Sequence, residues 1–206
     1  NRQRHKGPDG LPHQGPGREA RFHPLLLESG SCLTRYDVIV VGLGAMGSAA
    51  LYQLSRRGAR VLGIDRFAPP HDLGSSHGET RITRLAIGEG GHYTPLVKRS
   101  HEIWREIEKQ TSADLLTQCG ELILSGSGAT AHTHVPGFFQ NTIDAARCHG
   151  VAHELLDAAQ IRARFPQFNI RDDAFAYFEP EAGFLRPEAC VAAELSLAER
   201  QGAELR

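Results

Sequence analysis

Two groups of residues in this chain have types and spacings that could do chemistry. The first is Gly42, Gly44 and Gly47, spaced G-x-G-x-x-G, followed 18 residues later by Asp65. Glycines in that pattern allow a tight turn, close approach of backbone to a pyrophosphate, and close packing of a helix on a strand. A helix that opens at Ala45, with Met46 and Gly47 in its first turn, would aim N–H groups and its positive dipole end at phosphates. Asp65, with Arg66 beside it, closes the following strand, where a carboxylate can accept hydrogen bonds from a ribose hydroxyl pair. The second group is His77, Arg81 and Arg84. If residues 78–85 form a turn or two of helix, these three potential cations share one face, opposite Ile82, Leu85 and Ala86. Such a stripe suits a negative group held beside the nucleotide; taken on spacing alone, a solvated basic face explains it as well.

The elements that must position these groups are legible in outline. Residues 36–42 are a continuous β-branched run, as expected of a strand buried on both faces of a parallel sheet. Residues 46–57 read as the crossover helix, with Ala50, Leu51 and Leu54 toward the sheet and Gly58 at its stop. Residues 60–65 are the second strand, which completes a βαβ unit. Residues 67–80 are too rich in Pro, Gly and Ser for regular structure, and loops of that length inside compact domains are usually functional. Helices are predicted over 95–110, 137–149, 157–165 (capped by Asp157) and 187–201. A short strand is predicted at 121–124, a flexible polar excursion over 125–136, and a hairpin over 174–184 around Glu179, Pro180 and Glu181. Residues 202–206 look like the opening of one further strand. Trp104 reads as core packing, the two glutamates as a polar turn, and His132 and His134 as part of a solvated loop.

Composition excludes several classes. With net charge −1 and 23% charged residues among 206, nothing suggests a nucleic-acid partner. The histidines have no H-x-x-x-H or H-E-x-x-H spacing, so no metal site is expected. Cys32, Cys119, Cys148 and Cys190 are far apart, which favours reduced thiols in a cytoplasmic protein. No apolar run approaches the ~20 residues that span a bilayer. The chain starts at Asn1, and its one methionine is Met46. Residues 1–34, rich in Gly, Pro, Arg and His, read as a disordered extension, from an upstream reading frame or an engineered remnant more readily than a transit peptide. The stop at Arg206, just as a strand opens, is expected of a truncated protein.

Three stretches resemble the flavin-dependent amine oxidases of the monomeric sarcosine oxidase and N-methyltryptophan oxidase group, in the D-amino-acid oxidase superfamily. They are YDVIVVGLGAMGSAA, PPHDLGSSHGETRITR with its trailing GEG and Tyr93, and FEPEAGFLRPE at 178–188. The likeness runs from about Tyr36 to Arg206, roughly the first half of such an enzyme. It implies an α/β fold: an FAD-binding Rossmann-like domain of the glutathione-reductase type, interrupted by part of an α+β substrate domain. Residues 35–111 would be the first part of the FAD domain, 112–186 the partial substrate domain, and 187–206 the return. The resemblance places His77 and Arg81 near the flavin ring, where positive charge favours electron acceptance. It makes Arg84 the holder of the substrate carboxylate. Gly74, Ser75, Ser76 and Thr80 would wrap the cofactor, and Asp65 and Arg66 would lie at the adenosine end. Family members often carry a second histidine where Ser76 stands.

The activity so implied is oxidation of an N-methyl amino acid by oxygen to the amino acid, formaldehyde and hydrogen peroxide, in a monomeric enzyme. In that family a cysteine in the C-terminal half binds FAD covalently, and a lysine there assists the reaction with oxygen. None of the four cysteines here has that context, so the attachment cysteine is expected outside this chain. An isolated fragment is expected to hold little FAD and to be inactive. Another enzyme class, an NAD(P)-dependent dehydrogenase, would share the glycines and Asp65 but not the GSSHGETRITR segment.

Overall fold

The computed structural model describes residues 35–126 and 135–206. The expectations for residues 1–34, including Cys32, and for His132 and His134 lie outside the described residues.

Strand β1 (Val38–Val41) leads through the glycine turn into helix α1 (Ala45–Ser55), which returns the chain to β2 (Val61–Ile64). The pair is parallel, with Val38 opposite Val61, so the βαβ unit forms as expected. The glycine at position 47 is required by contact: a Cβ there would stand 1.7 Å from the Gly42 carbonyl oxygen. Helix α1 can therefore sit directly on the turn that feeds it. Its buried line is Ser48, Leu51, Tyr52 and Ser55, at helical spacing, and it packs against α5 (Pro187–Arg200). Ala50 is exposed, contrary to the sequence reading, because at 3.6 residues per turn it falls on the side of the helix away from that packing line. After α5 the chain enters β9 (Glu204–Leu205), which pairs in parallel with β2. The core beneath this sheet gathers Leu43, Leu51, Tyr52, Val61, Ile107 and Val191. Strand β1 is covered on one face only: Val38 and Val40 pack on the core, whereas Ile39 and Val41 are 55% and 81% exposed. The expectation of burial on both faces is corrected.

Two antiparallel sheets complete the described chain. One joins β3 (Arg81–Thr83), β8 (Gly183–Leu185) and β4 (Leu116–Thr117), with β8 central. The other joins β5 (Glu121–Ser125), β7 (Phe175–Glu179) and β6 (Glu154–Asp157), with β7 central. Helices α2 (Thr94–Thr111), α3 (Phe138–His149) and α4 (Ala158–Arg164) lie close to the predicted spans. Asp157 caps α4 through a reciprocal capping box with Gln160, which satisfies two otherwise orphaned N–H groups. All three sheets belong to the compact unit Arg35–Arg206.

Two predicted elements differ. Residues 81–83 are a strand rather than helix, because Gly78 and Glu79 at φ +110° and +60° break a right-handed helix before it starts. Residues 174–184 do not form a hairpin. β7 and β8 enter different sheets, and the Glu-Pro-Glu-Ala-Gly segment is the crossing between them.

Candidate flavin and substrate-carboxylate site

The glycine turn, the end of β2 and the 67–80 loop enclose a cavity of about 290 Å³, lined by Gly44, Asp65, Arg66, Gly74, Ser75 and Ser76 among others. Every one of these six was picked out in the sequence. A second cleft of about 600 Å³ shares Leu43, Asp65 and Arg66 and runs along α5 to Arg206. Gly44, the N-cap of α1, brings no side chain to its helix end, and the Ser76 hydroxyl instead accepts the Ala45 N–H at 3.0 Å. Met46 stands 87% exposed at the same helix end. A helix N-terminus whose own cap residue brings no side chain, glycines in the turn beneath it and a cleft leading away along α5 fit a dinucleotide.

Asp65 is more engaged than a ribose acceptor alone would be. Its carboxylate takes the Leu43 N–H at 2.7 Å and the Phe67 N–H at 3.0 Å, and His71 Nε2 lies 3.3 Å away. Those two backbone donors, with His71 adding to them, hold its carboxyl below the usual carboxylate range. Asp65 thus braces the glycine turn against the following loop; of roughly four lone-pair sites, only about one is left over. Arg66 lies over the Phe67 ring, 5.3 Å from its centroid.

The second group does not form one face. Because residues 81–83 are extended, positions 81 and 84 alternate to opposite sides. His77 and Arg81 remain together, both exposed: the Arg81 guanidinium donates to the carbonyls of Ser75 (3.2 Å) and His77 (3.1 Å). Thr80 contributes its N–H to the Gly78 carbonyl at 2.6 Å. Arg84 has other company. Its Nη2 donates to both oxygens of Glu89 at 2.7 and 2.8 Å, Nη1 lies 3.9 Å from Glu121, and the guanidinium stands over the Phe138 ring. Among the described residues its Nε is buried without a partner.

Several carboxylates around these groups escaped the sequence reading. Glu179, taken there as part of a polar turn, is fully buried. It accepts the Leu85 N–H at 2.5 Å, the Ala86 N–H at 3.1 Å and the Tyr177 hydroxyl at 2.8 Å, which fixes the backbone directly after Arg84. Burial raises Glu121 to about 6 against the opposing pull of Arg84, with Glu179 and Glu89 pushing the same way as burial. Glu194, on α5, is 3% exposed and meets the Ser48 hydroxyl at 2.7 Å, behind the first turn of α1. Burial raises it to about 7. The available signal for Glu179 was its place inside FEPEAG; nothing in the helical pattern of α5 marks Glu194.

Residues 37–206 match the FAD dependent oxidoreductase family, and the chain belongs to it. Its fold is the FAD-binding fold of that family and its cofactor FAD, which sets aside the NAD(P)-dependent dehydrogenase reading. Among its relatives, monomeric sarcosine oxidase of Streptomyces avermitilis is 48% identical over 170 residues, covering 82% of this chain and 42% of that protein. N-methyl-L-tryptophan oxidase of Yersinia pseudotuberculosis is 43% identical over 156 residues, covering 76% of this chain and 40% of that protein. Among solved structures, the open form of the amino acid oxidase NikD superposes with a TM-score of 0.70 at 29% identity, over 83% of this chain and 42% of that one. The chain thus spans about two fifths of the length of the relatives it matches. Among the described residues no group of three metal-ligating side chains occurs, and no helix is long and apolar enough to cross a membrane.

Proposed function

We propose that this protein is an FAD-dependent oxidase of N-methyl amino acids, oxidising the C–N bond with oxygen as acceptor and releasing amino acid, formaldehyde and hydrogen peroxide. The observation that carries the substrate class is Arg84: a half-buried guanidinium that grips a carboxylate through one nitrogen while its Nε stays buried and unpartnered. A planar guanidinium in that state orients an incoming carboxylate through charge-assisted hydrogen bonds. Glu89 occupies the position such a carboxylate would compete for, and Glu179 keeps the adjoining backbone from shifting as partners exchange.

FAD, when bound, supplies the acceptor for the electrons taken from the substrate. In this reading Gly42, Gly44, Ala45, Met46 and Gly47 receive its pyrophosphate, Asp65 and Arg66 its adenosine end, and Gly74, Ser75, Ser76 and Thr80 close over it. His77 and Arg81 would stand beside the ring, where the Arg81 guanidinium would supply positive charge, and Arg84 would set the substrate amine against it. The split into an FAD-binding part (35–111 and 187–206) and a substrate part (112–186) belongs to the same reading, as does a covalent attachment cysteine outside this chain. The relatives that act on sarcosine and on N-methyl-L-tryptophan support the substrate class; choice between these side chains does not follow from Arg84, which reads only the shared carboxylate.

The test is turnover by the holoenzyme with sarcosine, N-methyl-L-tryptophan and N-methylated amines lacking the carboxylate. Peroxide and formaldehyde in equal amounts from an acid substrate, and little from the amines, are expected. Equal turnover of acids and amines, or a preparation without a flavin absorption band, overturns the proposal.

A further inference from the structure

The loop that presents His77 and Arg81 contains an expensive turn. The Thr80 N–H donates to the Gly78 carbonyl two residues back, at 2.6 Å, and Glu79 at the centre of that turn has φ +60°. This is the hydrogen bonding of a γ-turn with a left-handed, non-glycine centre, a conformation that persists only when its surroundings hold it. Two contacts do so. From within the loop, Arg81 bonds the carbonyls of Ser75 and His77. From outside, Glu188 in the first turn of α5 accepts the Gly78 N–H at 2.7 Å, with the Glu79 N–H beside it.

The position of Glu188 is set by register. β3 and β8 pair antiparallel with Arg81 opposite Leu185. That pairing brings the first turn of α5, where Glu188 lies, alongside the turn that precedes β3. The Glu188 carboxylate there receives the amides that the strained turn exposes. These backbone donors hold its carboxyl below the usual range, and His77 adds a smaller pull in the same direction. The clasp thus forms between a group that is ionised near neutrality and donors that are always present.

We propose that Glu188 is a positioning residue: it clamps the strained Gly78–Glu79 turn and thereby holds His77 and Arg81 in place beside the flavin. The role beside the flavin rests on the proposed function; the clamp itself does not.

The holoenzyme is compared as wild type, Glu188→Ala, Glu188→Gln, Arg81→Ala, and Glu188→Ala combined with Glu79→Gly. Two quantities are read: amide hydrogen exchange in peptides covering residues 74–81, and the flavin midpoint potential. Glu188→Ala should speed exchange by roughly tenfold or more, as loss of a charge-assisted hydrogen bond implies. It should also move the potential in the direction that Arg81→Ala moves it. Glu188→Gln, which keeps one acceptor, should fall between. Glu79→Gly should restore part of both, because glycine adopts the left-handed turn without the steric cost. A residue acting only in general stability would not be rescued at position 79. Unchanged exchange in Glu188→Ala overturns the clamp. Faster exchange with an unmoved potential, while Arg81→Ala does move it, overturns the positioning role. If Arg81→Ala leaves the potential unmoved, the placement of Arg81 beside the flavin fails instead, and exchange alone decides the clamp.

Discussion

Replacing Glu194 by glutamine should abolish a pH dependence of stability whose size follows from the burial of that carboxyl. Glu194 is 3% exposed, and the Ser48 hydroxyl is its hydrogen-bond partner. Ser48 Oγ also lies 2.9 Å from the Gly44 carbonyl, which needs the single hydroxyl proton. A protonated Glu194 can donate to Ser48, leaving that proton for Gly44, whereas an ionised one competes for it. Burial moves the carboxyl from its ordinary 4.5 to about 7 in the folded chain. Between those values the folded state keeps a proton that the unfolded state has released. Stability is therefore fullest below pH 4.5, falls as pH rises toward 7, and levels off above. At about 1.36 kcal/mol per pH unit the loss is on the order of 3 kcal/mol.

Glutamine preserves the shape and a donor to Ser48 without a titrating charge. Its stability relative to wild type should be near zero at pH 4.5 and reach about 3 kcal/mol in its favour at pH 8. With a urea m-value of about 2 kcal/mol/M, the denaturation midpoint at pH 8 would rise by about 1.5 M. The one tryptophan, Trp104, packs against the same core and reports the transition by fluorescence. Other titrating groups are common to both proteins and cancel in the difference. Stability–pH curves of the two proteins that run parallel from pH 4.5 to 8 would refute the reasoning.

Two further outcomes are expected. Gly47→Ala drives a Cβ to 1.7 Å from the Gly42 oxygen, so the turn and helix must separate; about 1–3 kcal/mol of overpacking should weaken FAD binding by roughly 5- to 150-fold in a flavin-fluorescence titration. An unchanged affinity would show that the turn is not the phosphate cradle. Arg84→Ala should raise KM for N-methyl amino acids by roughly 10- to 150-fold, the worth of hydrogen bonds to a charged group, and Glu89→Gln should lower it by freeing the guanidinium. If both variants shift KM equally for a substrate without a carboxylate, Arg84 is not its anchor.

The βαβ unit was legible because its signals are local. Glycine spacing, a β-branched run and an acid at the strand end all lie within residues 36–66, and each constrains the others. The cavity-lining residues followed from that unit and from the wording of the 74–81 loop. What escaped was set by distant partners. Residues 81–83 carry no alternation strong enough to announce a strand; they are extended because β8 is there to pair with them. Glu179 looked like turn chemistry because Pro180 and Gly183 surround it. Its burial depends on Leu85 and Ala86 arriving from far upstream. Likewise β1 has the composition of a doubly covered strand, and that composition cannot say that Ile39 and Val41 stand exposed among the described residues.

The small sheet β3–β8–β4 also sets an order of events during synthesis. Arg81 pairs with Leu185, about a hundred residues later in the chain. At roughly 5–20 residues per second on the ribosome, the loop with the proposed flavin-facing cations emerges on the order of 10 s before the strand that orders it. The glycine turn and α1 can reach β2 almost at once, whereas the loop must wait, solvated, for β8 and the start of α5. A translational pause between residues 81 and 188 would lengthen the interval in which the glycine turn and α1 stand formed while the 74–81 loop is still unordered.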